Sequence, residues 1–189
     1  MSIIRTHGPV FLLLLALAFA AFGFFMGTEL WSGTDAQIIM DANELSRDPS
    51  AMFGHLGFYF SQPLLQLAFL AQFHFFGMNM AGYMAVNLVV HSFNAFMVYM
   101  LVHMLFPSKK MAILAAVLFV LGVGSYGRVL MSIHQLESLL LACLHLLVLY
   151  FFIRNDFRRD GGIRSPLFAV GLILFLLTGL TKAASFSLI

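Results

Sequence analysis

Five apolar runs punctuate this chain, and each approaches the length needed to cross a lipid bilayer. They are Val10 to Met26, Met80 to Phe106, Met111 to Gly124, Leu136 to Ile153 and Pro166 to Thr181. A membrane helix needs about 20 such residues, with a range of roughly 17–25. The third run is short, so flanking residues are expected to complete it. In hydrocarbon no water satisfies the backbone amides, and each run must close its hydrogen bonds internally as a helix. Composition agrees. Hydrophobic residues make up 61% of the 189 and charged residues 10%, whereas soluble domains hold roughly 45–50% and about 25%. The expected fold class is an all-α integral membrane protein. It forms a single membrane domain over residues 1–189, with a long loop at 27–79.

Several function classes drop out at this stage. A net charge of +2 leaves no basic footprint for nucleic acid. The single cysteine, Cys143, lies inside an apolar run and supports neither a disulfide framework nor a thiolate cluster. The 22 Phe and 12 Met suit lipid-facing and helix-packing surfaces. The first run follows Arg5 and has features of a signal peptide. Its small-residue triplet, Ala18-Phe19-Ala20, falls in mid-run instead of after it, so the span is expected to be retained.

Basic residues set the orientation. With the N-terminus cytoplasmic, the inner segments hold Arg5, Lys109, Lys110, Arg154, Arg158, Arg159 and Arg164, and the outer ones Arg47, Arg128 and Lys182. Seven against three puts the long loop and the C-terminus on the outer, periplasmic or lumenal, side. That loop carries Glu29, Asp35, Asp41, Glu44 and Asp48 against Arg47. Within it, Asp35 to Leu45 reads as an amphipathic helix with Ile38, Ile39 and Leu45 toward the membrane. Thr34 is its expected N-cap and Asp48-Pro49 its stop. Pro63 to Phe76 reads as a short apolar helix in the outer interface, with Pro63 in its first turn.

Polar residues interrupt the spans, where a central charge costs roughly 2.5–3.5 kcal/mol. Tyr83, Asn87, His91 and Asn94 recur at helical spacing and share one face of the second span. His134, Glu137 and His145 share a face of the fourth. Both stripes begin at the outer side. One reading is a polar cavity open to that side, with Asp35 or Asp41 above it and with His134 and Glu137, at i and i+3, holding a divalent metal or a phosphate-bearing ligand. The plainer reading is hydrogen bonding between helices, the common use of polar residues in a bundle. For Asp35, an N-terminal helical carboxylate accepting amide hydrogen bonds is explanation enough.

Several strings, taken in order, resemble the N-terminal half of polytopic glycosyltransferases of the GT-C fold, nearest the protein O-mannosyltransferase-like branch. They are Thr34-Asp35-Ala36 leading to Ile39 and Asn43, then Ser61-Gln62-Pro63-Leu64, the series Asn87, His91 and Asn94, His134-Gln135-Leu136-Glu137-Ser138, and Thr181-Lys182-Ala183. The resemblance implies a lipid-phosphate sugar donor, with Asp35 as general base on an acceptor hydroxyl. It places His134 and Glu137 at the donor phosphate or a metal, and Lys182 in the same cavity. A base activates the attacking oxygen and a cation stabilises the departing phosphate.

Two strings depart from that pattern. Gln62 stands where the family has Arg, and Ala183 where it has Glu. Family members also continue with further helices. The expected function is therefore a non-catalytic membrane subunit, shortened and partly degenerate, that docks on other membrane protein subunits. The small-residue stretch Ala112 to Gly127 would permit close helix approach. The alternative is a membrane glycosyltransferase, or part of one, acting on a lipid-linked sugar. Haem or pigment binding through His91, His103 or His145 is the weakest of the readings.

Overall fold

Apolar sequence alone does not stop a helix; in this chain short polar signals do. The structure is a computed structural model that describes residues 3–27, 33–48, 50, 62–106, 108–122, 132–156, 162–163 and 165–181. Regular structure among these residues is helical throughout. Helix α1 spans Ile3–Phe22 and runs into a tight turn of helix at Gly23–Gly27. Helix α2 spans Gly33–Arg47, with Asp35 in its first turn and Arg47 in its last, each matching the helix dipole. Helix α3, Pro63–Phe76, starts on the proline, whose missing N–H is not needed there.

Gly77 follows with φ 54°, a left-handed turn suited to glycine. Asn79 then caps α4, Met80–Leu105, by accepting from the Ala81 amide at 3.1 Å. Gly82 lies so close to Phe76 that an added Cβ would fall 2.3 Å from its ring. Ser108 caps α5, Lys109–Leu121. A short turn at Ile133–Gln135 leads into α6, Leu136–Asp156, and α7 spans Pro166–Thr181.

Pairings fix the helix directions. His7 meets Tyr99 and His103, and Phe11 meets Phe96, so α1 runs antiparallel to α4. Asn87 reaches residue 132 and Asn94 reaches residue 139, both 45 positions on. That constant offset makes α4 and α6 parallel. Phe152 packs on Phe168 and Asn155 reaches Gly162, so α7 returns along α6. Helix α4 packs against α1, α3, α5 and α6 and is the centre of the bundle.

Among the described residues, three stretches are long and apolar enough to cross a membrane: His7–Met26, Met80–Leu105 and Ile133–Asp156. Over the described residues α5 has 13 residues and α7 has 16. At about 1.5 Å per residue they reach roughly 20 and 24 Å, short of a hydrocarbon core of about 30 Å.

Two packing clusters carry the fold. One joins Val10, Leu14 and Ala18 of α1 to Ala95 and Tyr99 of α4 and to Ala112, Ala116 and Val120 of α5. The other joins Ile38, Ile39 and Ala42 of α2 to Leu65 and Phe69 of α3, to Tyr83 and Met84 of α4, and to Ile133 and Leu136.

One expectation changes as a result. Ile38, Ile39 and Leu45 face the protein and not lipid, each at most 3% exposed. An amphipathic period marks an apolar face without saying what covers it, and here α3 and α4 do. The small residues Ala112 and Ala116 do allow close helix approach, to α1 and α4 of the same chain, while 123–127 of that stretch lie outside the described residues.

Candidate functional site

The N-terminal ends of α4 and α6 lie together, and α2 closes over them. Asp35, in the first turn of α2, is completely buried. Its Oδ1 accepts the Ser132 hydroxyl at 2.7 Å and the His134 amide at 3.1 Å. The His134 Nδ1 lies 3.6 Å from the same oxygen and 2.6 Å from the Ser132 Oγ. Because the Ser132 proton goes to Asp35, the Nδ1–H of His134 donates to the Ser132 oxygen. Nε2 of His134 is left to accept from the Gln135 amide at 2.8 Å. The chain of protons thus runs Gln135, His134, Ser132, Asp35.

The order matters for the chemistry. In a nucleophilic triad the imidazole sits between serine and carboxylate and draws the serine proton toward itself. Here serine sits in the middle and gives its proton to the carboxylate, which leaves its oxygen unactivated. Below this layer Asn87 Nδ2 donates to the Ser132 carbonyl at 3.0 Å, so the same residue is gripped through side chain and backbone. Two turns deeper, Asn94 donates to the Leu139 carbonyl at 3.0 Å. Its Oδ1 is buried with no hydrogen-bond partner among the described residues. Glu137 is buried in the first turn of α6.

Asp35, Asn87, Asn94, His134 and Glu137 therefore gather along the α2–α4–α6 junction. His91 turns away to α5: its Nε2–H donates to the Val120 carbonyl at 3.3 Å and its ring stacks on Phe119. Asp41 stays within α2, where Gln37 donates to its Oδ1 at 2.6 Å. His145 donates from Nδ1 to the Leu141 carbonyl of its own helix. Tyr83 donates to the Gly77 carbonyl at 2.8 Å and steadies the α3–α4 turn. Lys182 and Arg128 lie outside the described residues, as do Ser61 and Ala183.

The side chains of the junction are packed against one another. The network is partly open along Ser132, His134 and Gln135, and the His134 side chain is 34% exposed. Among the described residues no group of three or more His, Cys, Asp and Glu is placed to hold a metal ion.

Sequence reasoning missed Ser132, the hub of the network. It also missed a second polar cluster at the opposite end, where Tyr99 Oη lies 3.0 Å from His7 Nδ1 and stacks on His103. A serine outside the periodic runs gives no signal. His7 and His103, at the ends of two antiparallel spans, would have signalled contact once the pairing of α1 with α4 was known.

Among the described residues, fold and junction define an all-α protein with three helices long and apolar enough to span a membrane, tied at one end by a polar network around the buried Asp35. Compared with protein-family models, curated proteins and solved structures, the chain matches none.

Proposed function

We propose that this chain is a non-catalytic subunit of a larger membrane assembly, built on a GT-C-like arrangement of five bilayer helices. The single observation that carries this reading is the complete burial of Asp35. A general base must come within hydrogen-bond reach of the group it deprotonates, about 2.6–3.2 Å between heavy atoms, and here the carboxylate has no solvent exposure and its Oδ1 is taken by Ser132 and His134. Gln62, where the resemblance expects a phosphate-binding Arg, is buried and uncharged. Asp35 then serves to fasten α2 to α6 across 97 and 99 residues of sequence. In this reading α5 and α7 complete their spans through the residues next to them. The N-terminus is cytoplasmic: Lys109, Lys110 and Arg154 sit at the end opposite the network.

The test compares Asp35→Asn with Asp35→Ala. Asparagine keeps an acceptor for both donors, so Asp35→Asn should accumulate in membranes and co-migrate with its assembly on native gels. Asp35→Ala should do neither. A wild-type chain that purifies alone, monomeric and in full yield counts against the subunit reading.

A membrane glycosyltransferase is the second reading. It is favoured by the hydrogen-bonded path from Asp35 through Ser132 to the partly exposed imidazole of His134. It predicts that Asp35→Asn, at normal abundance, abolishes sugar transfer from a lipid-phosphate donor. Transfer that survives this change eliminates the enzyme.

A further inference from the structure

Helix α3 buries two glutamines among core apolar residues and exposes large apolar side chains, with His74 as the one polar residue it exposes, an unusual balance for a helix packed on a protein in water. Its sequence contains no Asp, Glu, Lys or Arg. Gln66 and Gln72 are buried beside Leu65 and Phe69, and Gln62 is buried just before the first turn. Outward it presents Leu67 at 51% exposure and Phe75 at 79%. Water would favour the opposite arrangement, and hydrocarbon favours this one. The surface continues onto α7, which packs on α3 and leaves Leu176 and Leu180 facing out.

Between α3 and the last turns of α2 runs a cleft of about 690 Å³. Its walls are mainly Leu67, Leu70, Ala71, Phe73 and Phe75 of α3, so it is continuous with the outer face of that helix; Leu45 contributes only a small edge, and Ser46 and His74 are the polar lining residues. A methylene fills about the volume of a water, roughly 30 Å³. The cleft therefore admits roughly 20 methylenes, the scale of one fatty acyl chain.

We infer that the outer face of α3 lies in the hydrocarbon of the bilayer and that the α2–α3 cleft holds one acyl chain of a phospholipid. The lipid extends the apolar surface of the spans around α2, whose outward face is polar. This inference depends on the chain lying in a bilayer and stands apart from the question of catalysis. The same cleft would serve a subunit or an enzyme.

The full chain carrying Cys143→Ser is labelled with an environment-sensitive fluorophore at Leu70→Cys and reconstituted into phosphatidylcholine vesicles. Phosphatidylcholine with a nitroxide on its acyl chain should quench the label several-fold more than aqueous iodide does. Adding Ala71→Trp, which fills the cleft, should remove most of the lipid quenching at residue 70. A label at Leu176→Cys, on the outward face of α7 and away from the cleft, should stay quenched by lipid. Stronger quenching by iodide overturns the proposal. So does a residue-70 label reached by neither quencher, the mark of a second copy or another protein segment in the cleft. An Ala71→Trp variant that folds and shows unchanged quenching also overturns it. Where Ala71→Trp fails to fold, the ratio of lipid to iodide quenching in the labelled parent decides alone.

Discussion

The two ends of this bundle are held by different forces. At the α2 end, directional hydrogen bonds join residues far apart in sequence: Asp35 to Ser132 and His134, and Asn87 to the Ser132 carbonyl. Toward the other end, α1, α4 and α5 meet through Ala18, Ala95, Ala112 and Ala116, all fully buried. The difference follows from the solvent. An apolar helix in lipid gains little by leaving it for another apolar helix, so association relies on close backbone approach and dispersion contact. Small residues supply that approach. Helix α2, polar on its outer side and short, needs contacts that fix its orientation, and the Asp35 carboxylate provides them.

This contrast yields a graded series of outcomes. The largest effect is expected for Asp35→Ala, which removes the fully buried acceptor of the Ser132 hydroxyl and the His134 amide and leaves a void beneath α2. An orphaned buried donor costs about 1–3 kcal/mol, and with two partly buried donors affected the unfolding stability in nanodiscs should drop by an amount within that range. Next comes Ala116→Leu at the close-packed end. Overpacking costs typically about 1–3 kcal/mol, and the loss should be equal in low and high salt because no charge is involved.

Smaller again is Asn94→Leu. Hydrogen bonds between membrane helices average about 0.6 kcal/mol, and the Oδ1 that lacks a partner lessens the loss further. A drop as large as that of Asp35→Ala would break the distinction between the two ends. The smallest effect is at Asp48, just past α2, where the Ser50 hydroxyl and amide donate to its carboxylate at 2.6 and 3.0 Å. These bonds hold its pKa below the ordinary 3.8. A depressed carboxylate stabilises the fold above pH 3.8, and that contribution fades as pH falls through the lowered pKa. Ser50→Ala should raise the Asp48 titration midpoint, read by NMR, and lower the unfolding temperature at neutral pH by the least of the series, because Asp48 is fully exposed.

Much of this architecture is legible in the sequence because bilayer solvation is a strong and local rule. The run Met80–Leu105 needs nothing beyond its own composition to be assigned as a helix. The stripe Tyr83, Asn87, His91 and Asn94 shows by spacing alone that one face of α4 is special. What the spacing leaves open is the neighbour. Asn87 and Asn94 go to the α6 side while His91, one turn between them, goes to α5. Periodicity resolves a face to within a turn of arc, and two helices share that arc here. Ile38 and Ile39 illustrate the same limit, since lipid and protein are both apolar covers for an amphipathic helix. Ser132 was invisible because its role comes from tertiary placement, between a carboxylate 97 residues earlier and an imidazole two residues later.

A structural role for Asp35 requires that its carboxylate be sealed from solutes. Treating the membrane-embedded chain with a water-soluble carbodiimide and a small amine, followed by peptide mass spectrometry, measures this directly. Asp48, exposed at the end of α2, serves as the internal reference. Asp35 should remain unmodified while Asp48 reacts to completion. Modification of Asp35 at a rate comparable to that of Asp48 would show a carboxylate open to solutes, and the structural role assigned to it would be wrong.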